Sequence, residues 1–201
     1  MSLQSMSLML NITELTLQKI LINKDVIHMI THLPELHTLI IKCCQVIIND
    51  PIPNALASKL SLLQLEFLSV TGTWGESLCT FVKHLSFRSL MKLRTGILEL
   101  LEKLVEAPSI ISLEINHFLS NDTWQELQPI LEATPTLRTF HLSPICRLGP
   151  PFKLNPQALP HLEDVESPLP ALQGLLPGRC IHSIGIKSYY HLTSSDVKII
   201  K

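Results

Sequence analysis

The nine residues Leu33-Pro34-Glu35-Leu36-His37-Thr38-Leu39-Ile40-Ile41 carry an apolar triplet, Leu36, Leu39 and Ile41, in the spacing LxxLxL, with a proline two places ahead. Leu39 and Ile41 stand two apart, so in an extended chain they share one face, while Thr38, Ile40 and Lys42 share the other. With Ile, Val or Phe allowed, the triplet recurs at Ile12/Leu15/Leu17, Leu65/Leu68/Val70, Ile110/Leu113/Ile115, Leu137/Phe140/Leu142 and Ile181/Ile184/Ile186. Weaker copies fall at Leu90/Leu93/Thr95 and Leu162/Val165/Ser167.

The triplets alone decide little. Leu, Ile, Val, Phe and Met fill 77 of the 201 positions, so chance supplies such a pattern roughly 11 times. The prolines decide more, because Pro34, Pro108, Pro135 and Pro160 all precede a triplet by the same two residues. Before allowance for the choice of register, that coincidence has odds of about one in a thousand. Between triplets, helices are predicted over Asp25 to Leu33 (capped by Asn23 or Asp25), Asn54 to Leu63, Glu76 to Leu85, Ile97 to Ala107, Thr123 to Ala133 and, shorter, Pro168 to Leu176. Proline stops them, since it lacks an N–H and clashes with the preceding turn. A strand–turn–helix unit of this size cannot bury its apolar face alone, so neighbouring units must stack. The expected fold is therefore an α/β solenoid of about eight irregular repeats, with short parallel strands on the concave face and helices on the convex face. It occupies residues 1–201 as a single domain, with a loop-rich insertion at 146–160 around Gly149-Pro150-Pro151.

The segments LPELHTLII (33–41), APSIISLEI (107–115), TPTLRTFHL (134–142) and LPHLEDV (159–165) resemble leucine-rich repeats of the F-box type. LEFLSVTG (65–72), TPTLRTFHL and LPALQGLLPGRCIHSIGI (169–186) together resemble the repeat region of fungal F-box-like proteins. There, a segment like Leu176-Pro177-Gly178-Arg179-Cys180-Ile181 separates two groups of repeats. The resemblance covers about Leu8 to Ile186 and implies a non-catalytic substrate-recognition region of an SCF-type ubiquitin ligase. A stand-alone repeat scaffold or regulator is the alternative. No F-box-like segment precedes Ile12, so the chain is expected to be part of a longer array. An Skp-type adaptor is expected as partner only if an F-box lies upstream.

Composition narrows function further. Sixteen basic and 17 acidic residues give a net charge of −1, which is no electrostatic footprint for nucleic acid. No apolar run is long enough for a membrane span and no signal peptide is evident, so a cytoplasmic or nuclear location is expected. Five cysteines in unpaired spacing read as free thiols. His28 and His32 have the one-turn spacing of a metal pair, but Met29 stands where a zinc hydrolase needs glutamate. They read as a surface pair, and no metal or cofactor is expected. Cys79, Cys146 or Cys180 against His84, His141 or His182 lacks the local signature of a nucleophile. Gly72-Thr73-Trp74-Gly75 makes no phosphate loop. No enzymatic activity is expected.

What remains is the outward side of each strand. The expected protein-binding residues are Ile40 and Phe67 as apolar anchors beside Lys42, Lys92 and Arg94, with Glu114, His141, Asp164 and Glu166 toward the other end.

Overall fold

The computed structural model describes residues 11–47, 62–68, 81–82, 85–116, 123–143 and 154–187. The fold is mixed α/β, with a parallel sheet of eight strands in the order β1 (Glu14–Gln18), β3 (Thr38–Lys42), β5 (Gln64–Leu68), β6 (Lys92–Thr95), β7 (Ser112–Ile115), β8 (Thr139–Leu142), β9 (Asp164–Ser167) and β10 (Ser183–Ile186), and a small sheet pairing β2 (Leu21–Ile22) with β4 (Gln45–Val46). The chain groups into two compact units, Met1–Leu93 and Arg94–Lys201.

In the first unit, β1 (Glu14–Gln18), β3 (Thr38–Lys42) and β5 (Gln64–Leu68) pair in parallel, with Leu15 beside Leu39 and Leu39 beside Leu65. The strands β1 and β3 each continue, after two residues, into a short second strand, β2 (Leu21–Ile22) and β4 (Gln45–Val46). Lys19 and Cys43 make that bend at φ values of 52° and 51°. Their equivalence, 24 positions apart, repeats a left-handed residue that costs about 1–2 kcal/mol in any side chain but glycine. Helix α1 (Lys24–Thr31) begins at Asn23, whose side chain accepts from the Val26 N–H at 3.1 Å. Its buried face is Ile27 and Ile30.

The second unit holds β7 (Ser112–Ile115), β8 (Thr139–Leu142), β9 (Asp164–Ser167) and β10 (Ser183–Ile186), again parallel and in register. Strand β6 (Lys92–Thr95) spans the boundary between the units. Helix α2 (Leu98–Glu102) tightens into a 3-10 turn over Lys103–Glu106 where one longer helix was expected. No side chain caps its start, and Ala107-Pro108 ends it. Helix α3 (Thr123–Glu132) accommodates Pro129, and α4 (Leu169–Leu175) carries a proline in its first turn. Besides these four α-helices, Phe81 and Val82, within the predicted helix Glu76 to Leu85, are helical among the described residues. Of the predicted helix Asn54 to Leu63, only Leu62 and Leu63 are described, and they lead into β5. The predicted helix Glu76 to Leu85 lies mostly outside the described residues, as do residues 146–153 of the predicted insertion. Residues 154–160 form turns.

The phased prolines have a structural reason. Each occupies the second position of a tight turn closed by an N–H three residues after the accepting carbonyl: Leu36 to Leu33, Ile110 to Ala107, Leu137 to Thr134 and Leu162 to Leu159, at 3.2–3.3 Å. Proline's fixed φ suits that place. Leu90 to Phe87 is the same turn with Arg88 instead. The carbonyl just before each strand then accepts two N–H groups from the next repeat. Thr13 receives those of His37 and Thr38, His37 those of Leu63 and Gln64, Ile111 those of Arg138 and Thr139, and Arg138 those of Glu163 and Asp164.

The triplets supply the core. Leu36, Leu39, Ile41, Leu90, Leu93, Ile110, Leu113, Ile115, Leu137, Phe140 and Leu142 are all buried. The weaker copies bury hydroxyls at the third site. Thr95 Oγ1 accepts from the Ile97 N–H at 3.0 Å, whereas Ser167 Oγ finds no hydrogen-bond partner among the described residues.

One expected register is corrected. Leu65 and Phe67 in β5, with Leu62 just ahead of it, form the buried set in place of the expected Leu65/Leu68/Val70 triplet, so Phe67 points inward at 1% exposure. It packs beside Phe81, ring centroids 6.1 Å apart. Both readings of the sequence satisfy period two. The neighbouring strand decides, because Leu39 and Ile41 align with Leu65 and Phe67 and put four large apolar side chains in one layer.

Candidate functional site

The open face consists of the strand positions that alternate with the buried ones. These side chains are half-buried by their neighbours across the strands and otherwise meet solvent.

On the first unit, Ile40 stands between Thr16 and Glu66 in register, and Lys42 between Gln18 and Leu68. The place expected for Phe67 is thus taken by Gln64, Glu66 and Leu68. Gln64 donates to Glu66 Oε1 at 2.7 Å. Lys92 is exposed at the start of β6.

On the second unit the charges are paired across strands. Arg94 Nε lies 3.1 Å from Glu114 Oε1. The Asn116 amide, oriented so that both its ends are satisfied, accepts from Arg94 Nε at 3.2 Å and donates to Glu114 Oε1 at 3.0 Å. One strand further on, His141 Nε2 lies 3.0 Å from Asp164 Oδ2 and its Nδ1 3.7 Å from Glu166 Oε2. A carboxylate only accepts, so the Nε2–H of His141 donates to Asp164. Glu166 is held by Lys187 Nζ at 3.0 Å. Glycine at 185 makes room for this, since a Cβ there would meet Glu166 Cγ at 2.7 Å. Arg138 and Glu163 add a looser pair at 3.6 Å. Such half-exposed pairs contribute about 0–1 kcal/mol each to stability. Their effect is to fix the charges in place on rigid strands.

The expected residues Arg94, Glu114, His141, Asp164 and Glu166 therefore form the charged rows of the second unit, while Ile40, Lys42 and Lys92 lie on the open side of the first. Lys187 and Asn116 belong with them and had not been singled out. Lys187 was legible, because period two carried on from Ser183 and Gly185 reaches it. Glu66 was hidden by the misplaced register.

The Leu176–Ile181 segment has a structural role. The Arg179 N–H closes a turn on the Leu176 carbonyl at 3.3 Å, with Pro177 second and Gly178 third at φ 76°, as a type II turn requires. The Arg179 guanidinium donates to four backbone carbonyls: Ala158 at 2.9 Å, Leu175 at 2.7 Å, Pro177 at 3.1 Å and Asn155 at 2.8 Å. It ties the end of α4 to the 155–158 turn, and burial pulls its pKa below the ordinary arginine value.

Among the described residues, no three His, Cys, Asp or Glu side chains are grouped to hold a metal ion. Cys44 is buried with Sγ 3.4 Å from the Leu17 and Lys42 carbonyls, and Cys43 and Cys180 are exposed. Cys79, His84 and Cys146 lie outside the described residues. No described helix is long and apolar enough to cross a membrane. No family model matches the chain, and no curated protein matches it.

Proposed function

We propose that the chain is a non-catalytic protein-recognition module, built as a leucine-rich-repeat solenoid, whose open sheet face is the binding surface. The observation that carries this reading is the ordered charge pairing of the second unit, Arg94–Glu114 and His141–Asp164–Glu166–Lys187, on adjacent parallel strands. A row of fixed donors and acceptors about 4.8 Å apart from strand to strand suits a polypeptide laid across the strands. The extended concave faces of repeat proteins are used in this way.

The sequence resemblance supports a finer reading, the substrate-binding region of an F-box protein in an SCF-type ubiquitin ligase, in the cytoplasm or nucleus. The second reading is a stand-alone scaffold or regulator. Copurification of the full-length gene product with an Skp-type adaptor separates the two; consistent failure to retrieve one removes the ligase reading.

Recognition itself is tested by quantitative affinity capture with the wild-type chain, Ile40→Asp/Lys42→Glu on the first unit, and Asp164→Lys/Glu166→Lys on the second. Loss of the same partners in either variant, with folding intact, supports the open face. Identical capture by all three chains moves recognition elsewhere.

A further inference from the structure

His28 and His32 lack the adjacent glutamate that zinc hydrolysis needs, but metal binding asks for less. Both side chains are exposed at the end of α1, one turn apart, with ring centroids 4.1 Å apart and planes inclined by 58°. His32 Nδ1 lies 2.7 Å from the carbonyl oxygen of His28. A carbonyl can only accept, so Nδ1 carries the proton and Nε2 keeps its lone pair. Metal-ligating histidines are commonly prepared in this way, with the second nitrogen donating to a backbone carbonyl that fixes tautomer and ring orientation. The carbonyl is itself pinned, since it also accepts from the largely buried Thr31 hydroxyl at 2.9 Å. The imidazole of His28 has no hydrogen-bond partner among the described residues, so its nitrogens are available.

We propose that His28 and His32 form a two-imidazole surface site for a borderline divalent transition metal, with water completing the coordination. A helix holds such a pair about 5–6 Å apart at Cβ, a span that two metal–nitrogen bonds of about 2.0–2.1 Å can close. Imidazole ligands select copper, nickel and zinc over the oxygen-seeking calcium and magnesium, and copper binds most tightly of the three. Met29 in place of the general-base glutamate makes this a binding site and not a hydrolytic one. The proposal is independent of the recognition reading above.

The test is calorimetric titration of the untagged full chain with Cu2+ and Ni2+. The wild type is compared with His28→Ala, His32→Ala and the double variant His32→Ala/Met29→His, which keeps the histidine count but places the rings on adjacent residues. All three variants should bind about tenfold more weakly or worse, since loss of even a supporting partner of a ligand costs roughly 10–100-fold. On the wild type alone, substoichiometric Cu2+ should broaden the ring proton signals of His28 and His32 before those of the other histidines. Wild-type affinity in His28→Ala, or first broadening at other rings, overturns the proposal.

Discussion

Phe67 stands beside Ile41 in the parallel register of β3 and β5, and each is 1% exposed. The pair fixes which face of β5 is solvated and therefore which residues a partner could meet. Phe67→Ala should lower unfolding free energy by about 3–5 kcal/mol, the usual cost of emptying a buried aromatic site. Glu66→Ala, on the opposite face, should stay within about 0.5 kcal/mol. Urea titration of both variants checks this. Equal, small effects would restore the outward placement of Phe67.

Ser167 occupies the third triplet site, where the other strands place Leu, Ile, Phe or Thr. Its hydroxyl is fully buried and unpartnered among the described residues. Ser167→Ala removes the desolvated group with little loss of volume and should stabilise the chain by about 1 kcal/mol. Thr95→Ala should do the opposite, because Thr95 Oγ1 accepts from the Ile97 N–H. Thermal melts of the two variants should move in opposite directions.

Arg179 satisfies four carbonyls with one planar group. Arg179→Lys keeps the charge but loses the fork, and should cost about 1–3 kcal/mol. Gly178→Ala should add strain at φ 76°, with its Cβ 3.3 Å from Pro156 Cβ. Hydrogen exchange should report the loss first at Asn155–Ala158 and the end of α4. Exchange unchanged there in Arg179→Lys would show that the fork contributes nothing.

Gly185 leaves space that the Glu166 side chain fills. Gly185→Ala should push Glu166 off Lys187, and partner capture should fall as it does in Glu166→Ala, with melting little changed. Capture that survives Gly185→Ala but not Glu166→Ala would mean that the position of Glu166 is not what matters.

Much of the fold was legible because a repeat states its pattern several times. Pro34, Pro108, Pro135 and Pro160 marked the same turn, and their triplets marked the buried face of the strand that follows. The β5 register was not legible, because Leu62, Leu63, Leu65, Phe67, Leu68 and Val70 satisfy period two in either phase. The outward charges could be named from alternation alone. Their pairing could not, since Arg94 and Glu114 are 20 positions apart and His141 and Asp164 are 23 apart. The role of Arg179 was equally hidden, because backbone carbonyls leave no mark on a sequence.

By itself, then, the sequence determined the elements: short strands that bury one side, turns opened by proline, and a helix that starts at Asn23 or Asp25. Local sterics and the period of apolar residues suffice for these. Only the tertiary structure decided the register of β5, the inward turn of Phe67 and the linked charges on the open face. Each of those depends on which atoms a neighbouring strand brings within a few ångströms, and that is a property of the folded chain.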